Sequence, residues 1–328
     1  MCPTAKVKRR SPEGLVSGDA CSNSGDDGGH WTEEAISGGS LKHVDLHTGS
    51  NGWASPPGDL FALRSKTFFT KKLKSPSGDW LLKPAGVDWL RSPAKLDNVL
   101  GRSDNRVMVA LRRAQAAGKS LKSFVFAVNL QVPGRDSHSA VFYFYTDDPI
   151  APGSLLYRFV HGDDAFRNQR FKIVNRIVKG PWIVRAAVGN HAACLLGKAL
   201  TCNYFKGANY LEIDVDIGSS TIANAISHLA LKYVTAVAID MGFVVEAQAE
   251  EELPERLLGA VRIAHMEMSA AAFVEMGSVV ELAAGVKSGG GGGGGVCRGL
   301  GFSRVNHHDN ANGCSRSGGG DDDGGEDG

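Results

Sequence analysis

The chain has 328 residues, a length that allows two domains, but its composition argues for one. Residues 1–51 are rich in Gly, Ser and Asp, and residues 269–328 combine an uninterrupted glycine run with an acidic end. Neither segment carries enough apolar surface to offset the entropy of an ordered chain. We therefore predict one folded domain over residues 53–268, between two disordered tails.

The formal net charge of +1 conceals an uneven distribution. Residues 53–268 hold 27 basic and 20 acidic residues, and residues 64–122 alone hold 14 basic against 4 acidic. Such an excess attracts anionic partners, which include phospholipid headgroups, RNA and acidic proteins. The six cysteines are scattered, and neither a signal peptide nor a lipid-anchor signal is present, which favours a reducing cytoplasmic compartment.

The first elements are a strand, a helix and a hairpin. Residues 58–80 begin apolar and aromatic and then turn basic before Pro76, which predicts a strand followed by a polar loop. Residues 106–117 predict a helix with a cationic exposed face. Residues 124–132 follow a period of two, and residues 140–146 resume a β-branched and aromatic pattern after a turn, so the two runs predict a hairpin.

Short β-rich runs separated by Gly, Pro and Asn dominate the middle of the chain, and their spacing predicts an antiparallel meander. These predicted strands cover 171–178, 182–188, 199–205 and 210–217, with a last strand at 257–268.

Between the last two strands, the pattern predicts a helix from Ser219 to about Ala249. Its apolar residues cover most of the circumference, which is typical of a buried helix. Lys232, Asp240 and Glu246 argue against a membrane span, since a charge at a bilayer centre costs about 2.5 to 3.5 kcal/mol. We predict an α+β fold in which a curved, mostly antiparallel sheet packs on this C-terminal helix, with a helix-grip, START-like arrangement as the close variant.

Two motifs with known chemistry fail on inspection. Gly118-Lys119-Ser120 ends like a phosphate-binding loop, but Arg113 stands where that loop needs its first glycine. His191, Cys194 and Cys202 supply only three zinc ligands. We therefore expect no metal and no cofactor.

Three carboxylates, Glu212, Asp214 and Asp216, project from one face of a predicted strand. They could hold a hard cation or act as an acid/base pair, but no glycine or asparagine interrupts the strand to form a calcium loop. A solvated sheet face or ion pairs with the basic half is the favoured interpretation. A hydrolase that uses these three residues is the weaker alternative to a protein without catalytic activity.

Basic residues lie among aromatic ones within the predicted sheet. We take five of them as candidates for binding an anionic headgroup, namely Arg64, Arg167, Arg170, Lys172 and Arg176. The signature of RNA-binding sheets is absent, which argues against nucleic acid. The structural alternative is that the guanidinium groups of Arg64, Arg167 and Arg170 satisfy buried carbonyls or pair with the three carboxylates.

Four stretches, taken in order, resemble a known family. The first stretch is Trp53 with Phe61-Ala62-Leu63-Arg64-Ser65 and Lys74, and the second is Phe126 with Leu130-Gln131-Val132-Pro133-Gly134. The third is Phe166-Arg167-Asn168 with Arg170-Phe171-Lys172. The fourth is the longest and consists of Gly180-Pro181-Trp182, Leu196-Gly197-Lys198, Glu212-Ile213-Asp214-Val215-Asp216-Ile217-Gly218-Ser219-Ser220 and Glu250-Glu251-Glu252-Leu253-Pro254-Glu255. Their order and spacing are similar to the C-terminal domain of the enhanced disease resistance two proteins of plants and algae. The resemblance covers residues 53–268.

The resemblance implies a domain from a lipid-associated, regulatory setting, since the full-length plant proteins are negative regulators of defence-associated cell death at membranes. The resemblance does not imply any catalytic residue. With the basic half, it leads us to expect a non-enzymatic module that binds an anionic phospholipid or membrane surface, peripheral at membranes in the cytoplasm. The alternative is a regulatory domain that binds an acidic protein partner.

Overall fold

The computed structural model describes residues 29–118, 122–189 and 191–275. The strands are β1 (Lys42–His43), β2 (Gly52–Ala54), β3 (Ala62–Arg64), β4 (Lys74–Pro76), β5 (Lys83–Ser92), β6 (Phe124–Val132), β7 (Ser137–Thr146), β8 (Phe171–Lys179), β9 (His191–Leu195), β10 (Thr201–Lys206), β11 (Tyr210–Asp216), β12 (Ala238–Val245), β13 (Leu257–Ala264) and β14 (Ala272–Phe273). The α-helices are α1 (Gly29–Ser37), α2 (Phe68–Lys71), α3 (Arg106–Ala116), α4 (Leu155–His161), α5 (Asp164–Arg170), α6 (Trp182–Val188), α7 (Leu196–Ala199) and α8 (Thr221–Lys232).

Two six-stranded sheets form the body of this region. Sheet A has the order β10-β11-β6-β7-β5-β14, and sheet B has the order β1-β2-β13-β12-β8-β9. Most neighbouring strands are antiparallel, but β11 runs parallel to β6 and β14 runs parallel to β5. Strands β3 and β4 form a separate small antiparallel sheet.

The two sheets pack face to face around an aromatic core. Phe142 and Phe144 of sheet A meet Phe243 of sheet B at ring-centroid distances of 5.7 and 5.8 Å. Phe171 stacks on Phe243 within sheet B at 6.1 Å. A Cβ at Gly259 would overlap the Phe144 ring, which shows how closely the sheets approach. The main core therefore lies between two sheets.

The outer faces of both sheets are also covered. Against sheet A, α1 and α3 place Trp31 and Val107 beside the buried Tyr143. Against sheet B, Leu63 of β3 and the preceding Phe61 lie beside Val244. Because β12 is buried on both faces, its sequence reads as a nearly continuous apolar run.

The predicted helix from Ser219 to about Ala249 is wrong over most of its length. Helix α8 covers only Thr221–Lys232, and the strongly apolar part that follows it is the central strand β12. None of the side chains of α8 is buried, so the sheet-around-helix and helix-grip arrangements are not formed. An apolar run of this length fits both a buried helix and a strand covered on both faces, and the β-branched and aromatic residues Ile239, Phe243 and Val244 favour the strand.

Two other expectations need correction. Residues 182–188 form α6 rather than a strand, because Pro181 suits the start of a helix and Val184 is its one buried side chain. The parallel pairing of β11 with β6 breaks the predicted meander.

The ordered region also begins before residue 53. Helix α1 and β1 lie inside the segment assigned to a disordered tail, and Trp31 is buried. Strand β14 lies in the segment assigned to the C-terminal tail. The glycine run and the acidic end lie outside the described residues.

The mixed α and β content is confirmed, and so are several individual elements. The hairpin β6–β7, helix α3 and strands β8, β11 and β13 form where the sequence predicts them. Among the described residues, no helix has the length and apolar character needed to cross a membrane.

Candidate functional site

A cavity of about 530 Å³ lies on the outer face of sheet B. Its floor comes from β8 and β9, and its wall comes from β3 and the segment that follows β3. Three of the five candidate headgroup residues line it, namely Arg64, Lys172 and Arg176. Lys172 and Arg176 meet there because residues four apart on β8 point to the same side of the sheet.

Two of these cations belong to a buried charge quartet with Glu246 and Glu255. Arg64 lies 3.0 Å from Glu246 and 3.6 Å from Glu255, and Lys172 lies 3.4 Å and 2.6 Å from the same two carboxylates. Arg64 also donates to the carbonyl oxygen of Ala247 at 2.6 Å. The charge quartet is neutral as a whole, and it holds β3 against sheet B.

Arg176 belongs to a second cluster, the arginine triad, with Asp240 and Arg262. These residues are direct neighbours on β8, β12 and β13. Arg262 Nε and Nη2 donate to the two oxygens of Asp240 at 2.5 and 2.9 Å, and Arg176 Nη2 donates to Oδ2 at 2.6 Å. The carboxylate is fully buried. Two guanidinium groups thus share one carboxylate, and the arginine triad carries one positive charge in excess.

The remaining two candidates lie outside this cavity and make internal contacts. Arg167 donates to the carbonyl oxygens of Phe159 and Val160 at 3.0 Å each, near the end of α4. Arg170 pairs with Glu252 at 2.7 Å. The first contact joins α5 to α4, and the second joins α5 to the segment that follows β12.

The rim of the cavity carries a basic segment that we call the lysine segment, residues 66–74. Its four lysines, Lys66, Lys71, Lys72 and Lys74, are exposed, and none of them forms an ion pair with another described residue. Leu73 lies among them with 55% of its surface exposed. Phe68 and Lys74 also line the cavity, so the segment and the cavity form one continuous surface.

The three predicted carboxylates separate into two environments. Glu212 accepts hydrogen bonds from the backbone N–H groups of Val99 and Leu100 at 2.7 and 2.6 Å. Asp214 accepts from the N–H of Asn98 at 2.9 Å. Asp216 is partly exposed and pairs with Lys95 at 2.5 Å. The arrangement ties residues 98–100 to sheet A.

Burial raises the pKa of both Glu212 and Asp214, and for Asp214 the neighbouring Glu212 raises it further. Two carboxyl groups this close in a buried site disfavour the doubly ionised state, which is the direction in which both pKa values move. Glu212 and Asp214 are fully buried, so the predicted solvated sheet face is wrong for these two residues. Both accept hydrogen bonds from backbone amides, and this holds residues 98–100 in place.

A second cavity, of about 490 Å³, lies beside Trp80 and Pro254. Its charged lining comprises three acidic residues, Asp148, Glu252 and Glu255, against Arg256. Its charge makes it less suited to an anion than the first cavity. Within the described ranges, no group of three or more His, Cys, Asp or Glu side chains is placed to hold a metal ion.

The family described as Protein ENHANCED DISEASE RESISTANCE 2, C-terminal, matches residues 53–267. The chain belongs to this family. The match includes the charge quartet, the arginine triad and the lysine segment, and it confirms the resemblance that the motifs predicted.

A curated relative from Arabidopsis thaliana, Protein ENHANCED DISEASE RESISTANCE 2-like, is 46% identical over 233 residues, which is 71% of this chain. The same stretch is 31% of the relative, so the chain spans about a third of that protein's length. No solved structure matches the chain.

Sequence reasoning missed Asp240 and Arg262, and it noted the lysine segment only as a basic loop. Asp240 was missed because it was assigned to a helix. A carboxylate inside an apolar run was the available signal, since a buried charge needs a partner of opposite sign.

Proposed function

We propose that this domain is a regulatory module that binds anionic membrane surfaces through the lysine segment. The observation that carries the proposal is the exposure of four lysines, without ion-pair partners among the described residues, around the exposed Leu73. Family membership supports the regulatory part, because the relative's name concerns disease resistance.

The physical basis is electrostatic attraction with a small apolar contribution. Each lysine close to an anionic bilayer contributes about 1 kcal/mol, and the attraction decays within a Debye length. An exposed leucine among the lysines adds apolar area that can enter the interface. Four lysines therefore provide reversible, peripheral binding from the cytoplasmic side, and the proposal requires neither a catalytic residue nor a cofactor.

Vesicle flotation tests this function. The protein is mixed with vesicles of phosphatidylcholine alone or of phosphatidylcholine with about one fifth phosphatidylserine, at about 50 mM and about 300 mM salt. We expect recruitment to the anionic vesicles at low salt and release at high salt. Failure to float with anionic vesicles at low salt would contradict the proposal.

A second candidate function is binding of an acidic protein partner. Trp182 and Ile222 favour it, because they are 78% and 73% exposed on adjoining helices, and exposed tryptophans often anchor protein interfaces. The lysines nearby in sequence, Lys179 and Lys232, would meet acidic residues of the partner. A pull-down in which the wild-type chain retains a protein partner and Trp182→Ala loses it would support this alternative.

A further inference from the structure

The charges beneath the first cavity do not balance. The charge quartet is neutral, but the arginine triad has two guanidinium groups and one carboxylate. Arg262 and Asp240 side chains are only 7% and 0% exposed, so that pair is sealed in the protein. The excess positive charge is therefore carried by Arg176, whose side chain is 24% exposed and lines the cavity.

Arg176 is also the cation with unused donors. Its Nε and Nη2 bond to Asp240, while Nη1 has no hydrogen-bond partner among the described residues. In contrast, all three nitrogens of the Arg64 guanidinium contact Ala247, Glu246 or Glu255. Lys74, on the rim of the same cavity, forms no ion pair with a described residue. The cavity therefore carries two positive charges that no described carboxylate neutralises, one at Arg176 on its floor and one at Lys74 on its rim.

We infer that this cavity binds a phosphate monoester, with Arg176 and Lys74 as its anion contacts. A phosphate monoester carries nearly two negative charges at neutral pH and three terminal oxygens, which match one guanidinium and one ammonium group. The cavity volume of about 530 Å³ is in the range of small-molecule sites, and Phe61, Phe68 and Leu195 provide an apolar wall for the rest of the molecule.

The inference rests on the proposed function only where the phosphate monoester is a lipid headgroup in a membrane. The same phosphate monoester chemistry occurs on a free metabolite and on a lipid headgroup such as phosphatidic acid. Because the lysine segment continues into the cavity, a headgroup can reach the cavity while the segment lies on the bilayer. A soluble ligand needs the cavity alone.

Arg176→Gln provides a variant that should keep the fold. Asp240 remains paired with Arg262 through two hydrogen bonds, so the substitution removes the excess charge and leaves no carboxylate unpaired. Arg112→Gln is the matched control, because Arg112 is exposed on α3 and contacts only the carbonyl oxygen of Ser103 among the described residues. Thermal unfolding of both variants checks that each remains folded.

The test is calorimetric titration of the full chain with glycerol 3-phosphate and, separately, binding to phosphatidylcholine vesicles containing phosphatidic acid. We expect Arg176→Gln to weaken binding at least tenfold in one arm or both, while Arg112→Gln binds like the wild type. Loss in the titration assigns a soluble ligand, and loss only with vesicles assigns a lipid headgroup.

Two results would overturn the inference. One is absence of wild-type binding in both arms, and the other is binding by Arg176→Gln equal to the wild type. Lys66→Glu with Lys71→Glu separates this site from the proposed membrane function, since both lysines lie outside the cavity lining. That variant should lose vesicle binding and retain any binding of glycerol 3-phosphate.

Discussion

At the scale of single residues, the Glu212–Asp214 pair makes stability depend on pH. The folded-state pKa of Asp214 is raised from 3.8 to about 10, first by burial and then by Glu212. A group with a raised folded pKa binds its proton more tightly in the folded chain. Its stabilising contribution is complete below the unfolded pKa of 3.8 and is lost as the pH rises toward 10.

We predict that Asp214→Asn flattens this dependence, because the carboxamide does not titrate. Between pH 5 and pH 9 the wild type should lose stability more steeply than the variant, by up to about 1.4 kcal/mol per pH unit. Urea unfolding at several pH values measures the slopes. Parallel slopes in the two proteins would show that the pair does not retain a proton.

Arg64, Lys172 and Arg176, the three headgroup candidates that line one cavity, show how much of the site the sequence alone predicts. The alternation of β8 places Lys172 and Arg176 on one face, and that spacing can be recognised without a structure. Arg64 joins them through Glu255, 191 residues away, and sequence alone gives no register between β3 and sheet B. Charge and composition indicated the chemistry of the site, while its partners depend on long-range packing.

At the scale of elements, β12 is the segment in which the observed fold differs most from the predicted one, since it is a strand of sheet B rather than part of a long helix. The hairpin, α3 and β8 could be predicted because their apolar residues follow one period and end at turn residues. One face of β12 packs in the core between the two sheets, and the other face packs against Phe61 and Leu63. Both faces are therefore apolar, and the alternation of apolar and polar residues that indicates a strand is lost.

Two truncations distinguish the sheet sandwich from a sheet around a helix. Phe243→Ala should reduce the free energy of unfolding by about 3 to 5 kcal/mol, because Phe243 is fully buried among Phe142, Phe144 and Phe171. Ile222→Ala on α8 should change it by less than about 0.5 kcal/mol, since Ile222 is 73% exposed. Chemical denaturation gives both values, and a comparable loss in the two variants would indicate a buried α8.

At the scale of the whole molecule, the ordered domain extends beyond the family match at residues 53–267. Helix α1 packs on α3 and β5, and the Trp31 ring meets Tyr145 of β7 edge-on at 5.2 Å. The composition of residues 1–51 did not predict α1, because the Gly, Ser and Asp residues around this short helix dominate the average.

A pair of tryptophans tests this extension. Trp31→Ala should cost about 3 to 5 kcal/mol, because the side chain is 1% exposed in the outer core of sheet A. Trp182→Ala removes the same side chain from a site that is 78% exposed and should be nearly neutral. Thermal unfolding of the full chain measures both, and a neutral Trp31→Ala would mean that α1 does not contribute to the domain.

The proposed membrane function depends on where the positive charge lies rather than on how much there is. Lys66→Glu with Lys71→Glu reverses two charges in the lysine segment, whereas Lys83→Glu with Lys122→Glu makes the same change in net charge at exposed lysines elsewhere. Flotation with phosphatidylserine vesicles at low salt compares the two double variants. We expect the first to bind at least tenfold more weakly than the wild type and the second to keep most of its binding. Equal binding by the two variants would contradict the assignment of the membrane contact to the lysine segment.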